Sequence, residues 1–373
     1  MSVRGWFSRL KKKRLKDNNS FINLNESYPL PSGDTFAAIG ELSRVVKNNP
    51  DAVEIYLALG NLFRAQGEIE RAIQIRQTLI ARPNLDDQFK ARAWYELGND
   101  FKRAGLVDRA LYAFEKAQKI VGPEPAILGA LARLFADSND FKKAADYYSR
   151  LDQLIPQAHY LVRWAKQLKA RQESDLGQKA LRKALKVYPG SVEAWLELII
   201  RNYQKRNWRS LSKNLSQALV NVSPNLKFVL LEGLYQFARS LNDNSSKPLI
   251  DPECSQIVVE IISETDQDIL LCFYSALFLI ASENEEQAKD WLEKTLVLGP
   301  DFWPARLELL ALTQKEQELT DSFRVQLEFF LKKARLVKRF ICSRCGLKRE
   351  QIFFVCPRCH SWHSISFRTR LND

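Results

Sequence analysis

Apolar residues recur along most of this chain at spacings of three and four, the pattern of amphipathic helices that each bury one face. The pattern also repeats over a longer interval. YLALGNLFRAQGEIERA (Tyr56 to Ala72) and WYELGNDFKRAGLVDRA (Trp94 to Ala110) align position for position: an aromatic, Leu-Gly, a second aromatic, Gly, then Ala. Each copy predicts two helices. The first Gly lets the second helix approach closely, the second Gly ends the first helix in a turn, and the Ala sits where the helices cross. The aromatic positions Tyr56, Phe63, Trp94, Phe101 and Phe135 are expected in the core rather than at a ligand.

The frame continues with decay. Leu131-Ala132, Phe135 and Ala144 make a third unit ending at Pro156. Trp164-Ala165, Leu168, Gly177 and Ala184 make a fourth ending at Pro189, and Trp195, Leu198, Leu211 and Ala218 a fifth ending near Pro224. Gly98, Ala132 and Ala165 stand 34 and 33 residues apart, the tetratricopeptide period. Residues 225–268 read as irregular, with a loop over Asn242 to Pro252; Ala276, Ala288 and Pro300 recover the frame. A last pair is expected over Phe302 to Arg335 and a degenerate opening pair near Phe36 to Asn48. The predicted fold is therefore all-α, a tetratricopeptide-repeat α-solenoid of about seven or eight hairpins. Stacked hairpins leave an extended surface suited to protein segments.

Four of the six cysteines crowd into FICSRCGLKREQIFFVCPRCHSW (Phe340 to Trp362). Cys356-Pro357-Arg358-Cys359-His360 alone fits either haem attachment or half of a four-cysteine metal site. Cys342-x-x-Cys345-Gly346, ten residues upstream, decides for the metal, because haem would leave that pair idle. Two such turns aim Cys342, Cys345, Cys356 and Cys359 at one ion in a closed tetrahedral shell, which suits iron or zinc equally and leaves no open position for hydrolysis. Gln351 to Val355 has strand composition, and Arg339 to Ile341 and Trp362 to Phe367 flank it, so a three-stranded ribbon is expected. His360 and His363 read as surface or strand residues, and Cys254 and Cys272 as buried small apolar ones. The domains expected are a basic tail (1–33), the solenoid (34–336) and a small rubredoxin or zinc-ribbon-like β module (337–373).

The net charge of +12 is concentrated at the ends. Residues 1–16 hold seven Lys/Arg and no acid, and residues 331–373 eleven against two, which leaves the long middle net negative. A general affinity for polyanions is excluded for the body. At the C-terminus, Lys338, Arg339, Arg344, Lys348, Arg349, Arg358, Arg368 and Arg370 beside Phe353, Phe354 and Trp362 make a nucleic-acid-binding ribbon the alternative reading. Val3, Trp6, Phe7 and Leu10 share one helical face opposite basic residues, which suits an anionic membrane surface. No signal peptide or membrane-spanning run is visible; the longest apolar run, Ile269 to Ala281, is too short. A cytoplasmic protein, peripheral at most, is expected. No nucleophile–base pair or phosphate loop points to an enzyme.

Ala58 to Pro83 with Glu96 to Ala110, followed by CSRCG…FFVCPRCHSWHSI, resembles the lipopolysaccharide assembly protein B family, Trp362 after the last knuckle included. The resemblance implies a non-enzymatic adaptor at the cytoplasmic face of the inner membrane that restrains lipopolysaccharide synthesis. It also implies partners: a membrane AAA+ protease, the lipid A deacetylase it degrades, and lipopolysaccharide transport and assembly factors. Carried over to this chain, the metal ligands are Cys342, Cys345, Cys356 and Cys359. The family starts with a transmembrane helix where this chain has MSVRGWFSRLKKKRLKD, so peripheral attachment through residues 1–16 is the expectation here.

Overall fold

The structure is a computed structural model that describes residues 33–48, 52–241, 248–314 and 317–369. The basic amphipathic start and Arg370 lie outside them. The chain divides into two compact units, Met1–Gln153 and Leu154–Asp373.

The first unit contains α1 (Gly33–Asn48), α2 (Val53–Gln66), α3 (Ile69–Ile80), α4 (Asp87–Arg103), α5 (Val107–Val121), α6 (Pro125–Asp137) and α7 (Phe141–Arg150). Helices α2/α3, α4/α5 and α6/α7 pack as antiparallel pairs. The expected opening pair is a single helix, α1, among the described residues. Gly67 caps α2 in the left-handed conformation (φ 86°), and Gly105 follows α4 likewise (φ 76°). Asn139 takes the same place after α6, at φ 60°. The small crossing residues Ala72, Ala110 and Ala144 are fully buried. Phe63, Phe101 and Phe135 are buried as expected. Tyr56 and Trp94 are only half-buried, Tyr56 under the Arg82 guanidinium and Trp94 edge-on to Tyr112.

Close approach at the helical glycines has a testable consequence. A Cβ on Gly98 would stand 2.6 Å from the Phe114 ring, whereas one on Gly129 would meet only the mobile end of Arg133, at 3.6 Å. Gly98→Ala is therefore expected to cost about 1–3 kcal/mol by overpacking. Gly129→Ala should instead be neutral or stabilising by up to about 1 kcal/mol, since Ala is the better helix former. Urea midpoints of the two variants check this; equal midpoints would contradict the packing.

The same unit buries four charges. Arg64 of α2 pairs with Glu96 (2.7 Å) and Asp100 (2.8 Å) of α4, and Arg76 of α3 with Asp100 (3.2 Å). Arg76 also reaches Asn61 and the Leu57 carbonyl. Its guanidinium occupies the space that the missing side chain of Gly60 leaves. Burial works against every one of these charges, and opposite partners hold Glu96 below the usual carboxylate range.

The second unit contains α8 (Leu154–Ala170), α9 (Ser174–Val187), α10 (Val192–Gln204), α11 (Trp208–Asn221), α12 (Lys227–Leu241), α13 (Pro252–Ser263), α14 (Ile269–Ala281), α15 (Glu285–Leu298), α16 (Trp303–Thr313) and α17 (Asp321–Arg335). The described residues of 225–268 thus hold two helices where an irregular stretch is expected, while Asn242 to Lys247, within the expected loop, lie outside the described residues. A short 3-10 turn (Pro224–Leu226) leads into α12, which packs on α10 and α14, while α13 packs on α11 and α14. The apolar run Ile269 to Ala281 is the buried helix α14, and no helix among the described residues is long and apolar enough to cross a membrane. Three short strands close the chain: β1 (Phe340–Cys342), β2 (Lys348–Arg349) and β3 (Ile365–Phe367). They form an antiparallel sheet in the order β2-β1-β3.

Candidate metal centre

The sheet positions both knuckles. Strand β1 ends on Cys342, whose N–H donates to the Leu347 carbonyl (2.9 Å), so the chain turns back through Cys345 and Gly346 into β2. Gly346 has φ 70°. The second knuckle repeats the turn: His360 donates its N–H to the Cys356 carbonyl (2.9 Å) and sits at φ 53°. His360 is therefore the turn residue of C-x-x-C-H, in the place Gly346 takes in the first knuckle, and its ring is exposed. Gln351 to Val355 is not the expected strand. Only Val355 bridges, to Trp362. Phe353 instead turns into the core, and the Phe354 carbonyl accepts from His363 N–H (2.9 Å).

The four sulfurs of Cys342, Cys345, Cys356 and Cys359 lie within 4.8 Å of one another. Cys342 to Cys359 is 3.7 Å and Cys345 to Cys356 is 3.6 Å. A tetrahedron with metal–sulfur bonds of about 2.3 Å has edges of about 3.8 Å, so this set can hold one metal ion.

The electrostatics fit a cation as well. Burial raises the Cys342 thiol, but the Ser364 hydroxyl, the N–H groups of Cys345 and Arg344 and the Ser361 hydroxyl outweigh it and bring the thiol down to about 5. The Ser361 hydroxyl, 3.0 Å away, and the Ser361 N–H hold Cys359 below the ordinary thiol value. The Leu347 N–H favours a Cys345 thiolate, yet burial and the three neighbouring sulfurs push it up to about 12. Four negative sulfurs cannot share so small a volume uncompensated; a cation at their centre relieves that repulsion. Ser361 and Ser364 are site residues that cysteine spacing could not reveal. Their one signal is position, two and five residues after the last ligand-type Cys.

Cys254 and Cys272 are fully buried, as expected. Burial raises Cys254 far above the ordinary thiol range and Cys272 to about 11, so both are inert.

The ribbon is seated on the helices of its own unit along two seams. Phe340 and Phe367 enter an aromatic cluster with Phe228 of α12, Phe273 of α14 and Phe302, with ring centroids 5.2–6.3 Å apart. Trp362 packs edge-on to His159 (4.9 Å) and Tyr160 (6.2 Å) of α8. His159 is fixed in turn by the Glu193 carboxylate of α10, at 2.7 Å. His363 is not a free surface residue: its ring stacks on Tyr188 at 6.0 Å, and burial lowers its pKa.

These seams remove much of the stacking platform that a nucleic-acid ribbon would need. Phe353 is buried, Trp362 is packed on α8, and Arg368 is buried with its guanidinium donating to the Lys338 carbonyl (2.9 Å). Lys338, Arg344, Lys348, Arg349 and Arg358 remain exposed.

A tetratricopeptide-repeat profile matches residues 32–87 and 95–159. Lipopolysaccharide assembly protein B of Escherichia coli strain K12 is 24% identical over 97% of this chain and 94% of its own length. This chain is similar to lipopolysaccharide assembly protein B along nearly its whole length. The protein of that name from Haemophilus influenzae is also 24% identical, over 84% of this chain and 78% of its own length. Among solved structures, a tetratricopeptide repeat protein from Parabacteroides merdae is 18% identical and covers 74% of this chain and 99% of its own, with a TM-score of 0.32. The tetratricopeptide repeats make this a protein-interaction chain, with a four-cysteine cluster in a small C-terminal sheet.

Proposed function

We propose that this protein is a non-enzymatic adaptor that regulates lipopolysaccharide synthesis by bringing client proteins together. The observation that carries this reading is the alignment with the Escherichia coli protein, which runs through repeats and cysteine module alike. The helical array recruits a client, and the ribbon, held on α8, α12 and α14, supplies a second contact. Cys342, Cys345, Cys356 and Cys359 hold one iron or zinc ion. Bound there, the ion supplies a cross-link between the two knuckles, and four thiolates leave it no open position for catalysis. The clients are a membrane AAA+ protease, the deacetylase that commits precursors to lipid A, and lipopolysaccharide transport factors. The array (34–336) and the module (337–373) act as separate binding parts, with the basic start (1–16) resting on the cytoplasmic face of the membrane.

The test is affinity purification from membranes of a Gram-negative strain depleted of its own lipopolysaccharide assembly protein B. The intact chain is expected to recover protease and deacetylase and to shorten the deacetylase half-life, and the Cys356→Ser/Cys359→Ser variant to do neither. A short half-life with both chains would remove the ribbon from the mechanism. Failure of the intact chain to recover either client would remove the proposed partners.

A further inference from the structure

A groove runs between α8 and α10, over α9. Lys166 and Lys169 line one wall, Arg201, Gln204 and Lys205 the other, and Ala165, Gly177 and Leu181 the floor. Gly177 brings α9 close under α8, since a Cβ there would stand 3.1 Å from the Ala165 carbonyl oxygen. Four cations face a single carboxylate, Glu197, and Glu197 is already bound to Lys166 at 2.6 Å. The neighbouring acids Glu173 and Asp175 do not line the groove.

Two of the other three cations are held by neutral groups. Lys169 Nζ donates to Gln204 Oε1 (2.9 Å), and Arg201 Nη1 to the Ser174 carbonyl oxygen (3.3 Å). Those bonds fix the direction of each side chain without cancelling its charge. Such pre-positioned cations bind a carboxylate at little further cost in side-chain entropy, and the resulting bonds are charge-assisted. The two cationic rows stand one helical turn apart on each wall (Lys166/Lys169 and Arg201/Lys205), with an apolar floor between.

We infer that this groove binds an extended acidic segment of a partner protein, its Asp or Glu side chains meeting Lys169, Arg201 and Lys205 and its apolar side chains resting on Ala165 and Leu181. The apolar floor and the alternation of walls favour a peptide over a lipid headgroup, which needs cations alone. The inference rests on the reading of the helical array as client-binding and names the chemistry of one client segment.

Random peptides displayed on phage and selected on the full-length chain supply the probes. The recovered peptides are expected to be rich in Asp and Glu. In fluorescence anisotropy they should bind Lys169→Gln/Arg201→Gln about tenfold or more weaker than the natural chain, with affinity falling as salt rises. Both residues are at the surface, and unchanged circular dichroism verifies that the variant is folded. Recovered peptides without acidic bias, or binding within about twofold in the double variant, would overturn the inference. So would a double variant that loses binding to phosphatidylglycerol vesicles while the peptides bind it unchanged; the groove would then be a lipid contact. The deacetylase half-life in the same variant separates the two readings: if clients are still degraded while no acidic peptide binds, the groove is misassigned and the adaptor role stands.

Discussion

Removing the proposed metal, by chelation or by Cys356→Ser/Cys359→Ser, is expected to destabilise residues 154–373 as a unit, not merely to fray the last segment. The ribbon is too small to keep its fold without the cross-link between its knuckles. Its Phe340 and Phe367 are buried against Phe228, Phe273 and Phe302, so its loss opens the core of α12 and α14. Withdrawing a buried Phe from a core costs about 3–5 kcal/mol. At about 2–4 °C per kcal/mol for a unit of this size, the melting temperature should fall by about 6–20 °C. Calorimetry with and without chelator measures the shift. A second unit that melts at the same temperature without metal would mean that the ribbon only leans on the helices.

The second large effect is expected in the first unit. Asp100→Ala removes the carboxylate shared by Arg64 and Arg76 and leaves both guanidiniums to share Glu96. Breaking a buried ion pair from one side costs about 3–5 kcal/mol, because the remaining charge stays desolvated. Chemical denaturation should show that loss in the transition of residues 52–153. Replacing Arg64, Arg76, Glu96 and Asp100 together by apolar residues of similar volume should cost far less, since no charge is then stranded. A single Asp100→Ala substitution with an unchanged midpoint would contradict the network.

Much of this is legible in the sequence, because repeats write their packing into spacing. The pairs Gly60/Gly98, Gly67/Gly105 and Ala72/Ala110 each do in space what their positions imply. The frame was lost over 225–268 because Gly233 of α12 packs against Leu196 of α10, a helix of the preceding repeat, and because a long connection separates α12 from α13. In the ribbon, the cysteine spacing foretold the sulfur cluster, but not the placement of the strands. Two ladder residues at Lys348 and Arg349 do the work assigned to Gln351 to Val355, whose Phe353 is needed in the core. Least legible was the seating: His159 meets Trp362 and Phe228 meets Phe340 across long stretches of chain, where no local period connects them. His360 reads as a surface or strand residue in the sequence; its ring is indeed exposed, but its role is the backbone conformation of the turn.

Cys342, Cys345, Cys356 and Cys359 are proposed to hold one ion that makes the ribbon part of the second unit. Elemental analysis of the full-length chain purified without oxygen, combined with thiol titration before and after chelation, tests it most directly. One iron or zinc per chain is expected, with four cysteines that become reactive only when that ion is withdrawn. A chain that carries no metal, with those four thiols freely reactive in the folded protein, would contradict it.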